Sequence, residues 1–115
     1  MKHQGKYYLT YSANNTSSPD YAVGLAASFS PLGPFTKYEG NPILQKTEQV
    51  CGVGHHSFFR SLRDGELICV YHCHCSKTEF RPRKVCLDRA EFVAENGCTV
   101  LKIHGPTHTP QKAIE

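Results

Sequence analysis

Apolar and polar positions alternate in short runs along this chain, and turn-forming residues interrupt the runs every few positions. Residues 6–12 (KYYLTYS) are rich in aromatic and β-branched types, the composition of a strand. The polar stretch 14–20 (NNTSSPD) reads as a turn, and residues 21–28 (YAVGLAAS) as a second strand forming a hairpin with the first. Two prolines and a glycine set a tight turn over Ser30-Pro31-Leu32-Gly33-Pro34. A short strand over 35–38 and a loop over 39–42 follow. In the second half, strands are predicted over 57–61, 66–75, 84–93 and 98–103, with 66–75 (ELICVYHCHC) the longest. The turns between them carry Asp64-Gly65 and Asn96-Gly97, dipeptides that favour hairpins because both central residues tolerate left-handed backbone. No segment has helical periodicity.

This pattern predicts an all-β fold. Tyr8-Leu9-Thr10-Tyr11 and the run from Ile68 to Tyr71 are similar in character, and each is followed by a loop and another strand. Two similar antiparallel units are therefore expected, over roughly 1–50 and 51–115 of one domain. Propeller blades have this form and stack face to face. Stacking also accounts for a strand that is apolar on both alternations, as 66–75 is.

Composition narrows the class of partner. The chain has 115 residues, 39% hydrophobic and 20% charged, the balance of a folded domain. Its net charge of +3 comes without a basic block interleaved with aromatics, which argues against nucleic acid. No apolar run nears the ~20 residues of a membrane-spanning helix. The N-terminal residues are polar and lack the apolar core of a signal peptide, so a cytoplasmic location is expected if Met1 is the true start.

Six cysteines stand at 51, 69, 73, 75, 86 and 98. Free, mostly buried thiols are expected, since buried cysteine packs as a small hydrophobe. A cross-hairpin pair of Cys69 and Cys86 is conceivable, but a cytosolic compartment disfavours it. Cys73, Cys75 and Cys86 with His72 suggest an alternative, a zinc-binding module, although no paired Cys-x-x-Cys knuckle is present. Asp88, Glu91, Glu66 and Glu79 are candidates for acid chemistry but read mostly as hairpin surface charges. Asn14-Asn15-Thr16-Ser17 holds two overlapping glycosylation sequons, relevant only in a secretory context.

The segment Gly52-Val53-Gly54-His55-His56-Ser57 carries the most chemistry. Glycines permit close approaches and backbone angles that leave a neighbouring histidine free to point where bulkier neighbours would block it. It falls within an ordered set: Gly5-Lys6-Tyr7-Tyr8, Tyr21-Ala22-Val23-Gly24, Ser30-Pro31-Leu32-Gly33-Pro34-Phe35, Asn41-Pro42-Ile43-Leu44, Tyr71-His72, Arg83, Asp88-Arg89 and Gly105-Pro106-Thr107. This succession resembles the C-terminal part of the five-bladed β-propeller of glycoside hydrolase family 43, which includes arabinanases, α-L-arabinofuranosidases and β-xylosidases.

The resemblance implies a partial propeller of about two blades and a carbohydrate partner, an arabino- or xylo-oligosaccharide. It implies inverting hydrolysis by two carboxyl groups, tuned by a third. In the family the general-acid glutamate falls just before a segment like Gly5-Lys6-Tyr7-Tyr8. Here Met1 to Gln4 carry no acid and the first carboxylate is Asp20, so no catalytic residue is expected in this chain, which reads as a truncated gene or an internal start. His55 matches the axial histidine that coordinates a central cation, commonly Ca2+, in the full-length protein, with no cofactor expected for this chain alone. Arg83 and His72 match the sugar-binding wall. Unpaired blade faces imply self-association. The other alternative is a non-catalytic β-rich carbohydrate-binding module.

Overall fold

The computed structural model describes residues 1–111. Its strands are β1 (Lys2–His3), β2 (Lys6–Ala13), β3 (Ala22–Ser28), β4 (Thr36–Lys37), β5 (Gly54–Arg60), β6 (Leu67–Cys73), β7 (Lys84–Glu95) and β8 (Cys98–Ile103). They form two four-stranded antiparallel sheets, ordered β1-β2-β3-β4 and β5-β6-β7-β8, each following chain order. Neighbouring strands are joined by hairpins and the chain is all-β. No helix among the described residues is long and apolar enough to cross a membrane.

Local chemistry sets the hairpins. Asn96 and Gly97 both hold left-handed backbone between β7 and β8, and Gly65 does so between β5 and β6. Gln4 and Gly5 make the same two-residue turn between β1 and β2. That first hairpin is missing from the sequence expectation, because β1 is two polar residues with no apolar alternation.

Several strand ends differ from expectation, and those of β5 and β6 bear on the site. β5 starts at Gly54 rather than Ser57, so both histidines belong to it. The run expected over 66–75 ends at Cys73, and β7, with 12 residues, is the longest strand. Cys73 and Cys75 therefore do not share a strand face, which removes the geometry that the zinc alternative requires. Among the described residues no group of three or more His, Cys, Asp or Glu side chains is arranged to hold a metal ion.

The sheets stack on a shared core. Tyr8, Val23 and Leu25 of the first sheet pack with Leu67, Cys69, Tyr71, Leu101 and Ile103 of the second. Phe92 of β7 reaches across, stacked on His3 with ring centres 3.9 Å apart and edge-on to Tyr8 at 4.9 Å. The Tyr8 hydroxyl, otherwise costly to bury, donates to the Thr99 carbonyl at 3.0 Å. On β6 one alternation (Leu67, Cys69, Tyr71, Cys73) is buried throughout. The other is buried only at Ile68 and half-buried at Val70 and His72. The outward faces keep apolar side chains in solvent, with Val85 and Phe59 on the second sheet and Leu9 on the first.

Asp88 corrects the reading of a hairpin surface charge, being 1% exposed. It lies on β7, opposite Cys69 of β6. Its carboxylate accepts the Tyr71 hydroxyl at 2.5 Å, the Thr107 N–H at 3.1 Å and the Thr107 hydroxyl at 2.8 Å. Three donors replace the water this charge loses on burial, so it ties the segment after β8 to the sheet.

Candidate functional site

His55, His72 and Arg83 gather at one end of the β5–β6 pair. Gly54 opposes His72 across these strands, and the register shifts between Gly54 and Ser57. This irregularity adds a residue to β5, bends it and breaks strict alternation. His55 occupies it with a φ of 53°, a conformation uncommon outside glycine and costly without support. Ser12 of β2 supplies that support, as its Oγ accepts the His55 N–H at 3.0 Å and lies 3.4 Å from His56 Nδ1. A serine of one sheet thus fixes the backbone of the histidine on the other. Ser12 carried no sequence signal, since its partner lies 43 positions away.

Each of the two glycines clears space for a ring. A Cβ on Gly54 would fall inside the Tyr21 ring, and one on Gly52, at φ +66°, inside the His74 ring. Tyr21 packed on Gly54 then stacks beside His72, with ring centres 5.9 Å apart, while His55 faces His72 at 5.8 Å. His74 packed on Gly52 bonds the Thr16 carbonyl through Nε2 at 2.8 Å and meets the Phe80 ring edge-on. The requirement for glycine therefore comes from the rings, and the freedom of His55 from the bulge.

His72 is half-buried, yet both its ring nitrogens are shielded from solvent and lack a hydrogen-bond partner. Burial lowers its pKa, and the positive charge of Arg83 and the neighbouring His55 and His74 lower it further. It is a neutral imidazole with unsatisfied capacity. His56 is half-buried, its ring centre 5.6 Å from that of Phe58, with its pKa lowered by burial and then by His55. Arg83 precedes β7 and is exposed. Its guanidinium lies over the Phe80 ring at 5.6 Å, beside that of Arg81 at 5.4 Å. Tyr71 faces the core, opposite to His72, as strand alternation requires.

The cleft beside His55, about 500 Å³, is lined by Thr10, Tyr11, Ser12, Tyr21, His56 and Phe58 among others, with no carboxylate. A hard divalent cation takes roughly six to eight oxygen ligands. Two imidazoles, His55 and His56, and a few hydroxyls do not fit such a shell by themselves. Chemically the cluster suits neutral hydroxylated ligands, with an arginine fork and imidazoles for donors and acceptors.

Two stacked four-stranded units of this topology, with a histidine bulge at one end of an inner strand, define a pair of propeller blades. The profile of Glycosyl hydrolases family 43 matches residues 1–97, and the chain belongs to that family. A thermostable family-43 glycoside hydrolase superposes with a TM-score of 0.85 at 43% identity, covering 100% of this chain and 36% of that one. An endo-1,4-beta-xylanase from Bacteroides thetaiotaomicron VPI-5482 gives a TM-score of 0.80 at 36% identity, covering 92% of this chain and 36% of the other. An exo-1,5-alpha-L-arabinanase from a bovine ruminal metagenomic library shares the fold, with a TM-score of 0.69 at 18% identity over 94% of this chain and 37% of its own. This chain thus spans about a third of the length of these solved relatives. No curated protein matches it in sequence.

Proposed function

We propose that this chain forms part of the sugar-binding wall of a glycoside hydrolase that cleaves O-glycosidic bonds in arabinose- or xylose-containing polysaccharides. Residues 1–50 and 51–115 are successive blades in this reading, with 112–115 outside the described residues. Arg83 directs its fork of donors at vicinal sugar hydroxyls, and His72, whose ring nitrogens are shielded from solvent, backs the same wall with its ring between Tyr21 and His55. His55 would offer one imidazole toward a central cation, Ca2+ in this reading, and this chain's other residues would not complete its shell. The carboxyl pair that performs inverting hydrolysis is likewise supplied by other blades. The observation that carries the reading is the meeting of His55, His72 and Arg83 in a chain 43% identical to a family-43 glycoside hydrolase over its full length.

The test is a chimera in which this chain replaces the corresponding third of that thermostable relative. It is expected to turn over aryl arabinosides or xylosides. Arg83→Ala within it should lower kcat/KM by about tenfold or more, the worth of one lost contact of roughly 1.4 kcal/mol. A folded, active chimera indifferent to both Arg83→Ala and His72→Ala would refute the assignment. A folded chimera that binds the oligosaccharide without turnover would favour the carbohydrate-binding module instead.

A further inference from the structure

The β6–β7 hairpin ends in a loop, residues 74–83, that presents Phe80 and Arg83, and a cysteine stands on each side of its base. Cys73 is the last residue of β6, and Cys86 the third of β7. Tyr71 opposes Cys86 and Lys84 opposes Cys73, so the two cysteines are diagonal neighbours on one face of the sheet. Their Sγ atoms lie 3.5 Å apart. The thiol pair that the fold brings together is therefore Cys73 with Cys86; Cys69 faces Asp88 instead. A disulfide bond is about 2.05 Å long, so the two sulfurs have about 1.5 Å to close, through side-chain rotation together with a small approach of the two strands. Both sulfurs border an open cavity of about 580 Å³, which gives a small reagent a way in.

We propose that Cys73 and Cys86 form a redox-responsive dithiol whose oxidation cinches the base of the loop carrying Arg83. This rests on the hairpin alone and stands whether or not the chain binds sugar. The oxidant is a low-molecular-weight disulfide such as oxidised glutathione. Cys86, half-buried, meets it first. Its thiol loses a proton, the sulfur attacks one glutathione sulfur, and the other glutathione leaves as a thiolate. Cys73 then loses its proton and attacks Cys86 Sγ in the mixed disulfide, expelling the second glutathione. Two protein thiols are oxidised and one glutathione disulfide is reduced to two thiols, with both protons taken up by the leaving thiolates. Burial and the neighbouring Cys73 hold the Cys86 thiol above its ordinary range, so the step is slow near neutrality and quickens as pH rises.

The experiment incubates the full chain with oxidised glutathione near pH ~8.5, where an ordinary thiol is half ionised. Remaining thiols are then alkylated under denaturing conditions and the digest is mapped by mass spectrometry. Alkylated cysteines are expected to fall from six to four. The peptide 64–77, which holds Cys69, Cys73 and Cys75, should stay joined to the Cys86 peptide until reduced, and Cys73→Ser should abolish that link while Cys69→Ser and Cys75→Ser should not. The oxidised chain should melt at a higher temperature than the reduced one. Cys86→Ser should abolish the link, and Cys98→Ser, at the exposed cysteine, should not. Six alkylatable thiols after prolonged oxidation of the wild-type chain would overturn the proposal, as would a link joining any other pair.

Discussion

At Gly54 the absence of a side chain sets the geometry of its neighbours. The Tyr21 ring occupies the place of a Cβ, and His72 stacks on that ring. Gly54→Ala should therefore displace Tyr21 and cost about 1–3 kcal/mol, the usual range for overpacking a tight site. Thermal melting with near-ultraviolet circular dichroism measures it, and an unchanged melting temperature would show that the ring does not lie there. His72 makes a second expectation at this scale. Its folded pKa is lowered, so the unfolded chain binds a proton that the folded chain resists. Its contribution to stability is whole above the ordinary value of about 6.5 and declines as pH falls through that value toward the lowered folded one. Histidine NMR titration should find its midpoint below ~6.5, and His72→Gln should flatten the fall in melting temperature over that window. The sequence exposed the glycines and His55 because their spacing is local. The contacts of Tyr21 and Ser12 stayed hidden, since each meets its partner only after the two sheets stack.

Among the elements, hairpins with Asp-Gly or Asn-Gly turns were legible because the turn geometry is encoded in two adjacent residues. Strand ends were less so. The β6 run continues in sequence to Cys75, but the backbone turns away after Cys73, where His74 N–H bonds the Cys51 carbonyl and the His74 ring seats on Gly52. Asp88 was misread because a lone acid on an alternating strand looks like a solvent-facing charge. What makes it internal is the return of the chain at Gly105, a position where a Cβ would strike the carboxylate. Asp88→Ala would strand the Tyr71 hydroxyl and the Thr107 donors. A loss of about 3 kcal/mol or more is expected. Hydrogen exchange should show the amide of Thr107 losing protection first, and an intact Thr107 amide in the variant would contradict this anchoring role.

At the scale of the molecule, the all-β stacked architecture was readable because apolar strands punctuated by turns have few other ways to bury both faces. The chemistry was readable only in part: Arg83, His72 and His55 could be named, but the Ser12 hydrogen bond and the Tyr21 ring that position the two histidines could not. The chain alone is accordingly expected to show no turnover of aryl arabinosides or xylosides. Turnover abolished by substituting one of its own acids, such as Glu91 or Glu66, would reverse that view. Val85, Phe59 and Leu9 on the outward faces favour association, so sedimentation should report a mass that grows with concentration, and Val85→Lys should restrain it.

The Ser12 hydroxyl that holds the His55 backbone belongs to the sheet opposite the histidine it serves. Under the proposed sugar-binding role, recognition and folding are read out together in any survey of variants. A library selected for sugar affinity would return changes at Tyr8, Phe92 and Thr99, residues well away from the histidines, because loosening that seam lets the serine drift from its partner. Substitutions that score alike in such a screen would separate only when affinity is plotted against the fraction of molecules folded, and those at Arg83 should fall off the common line.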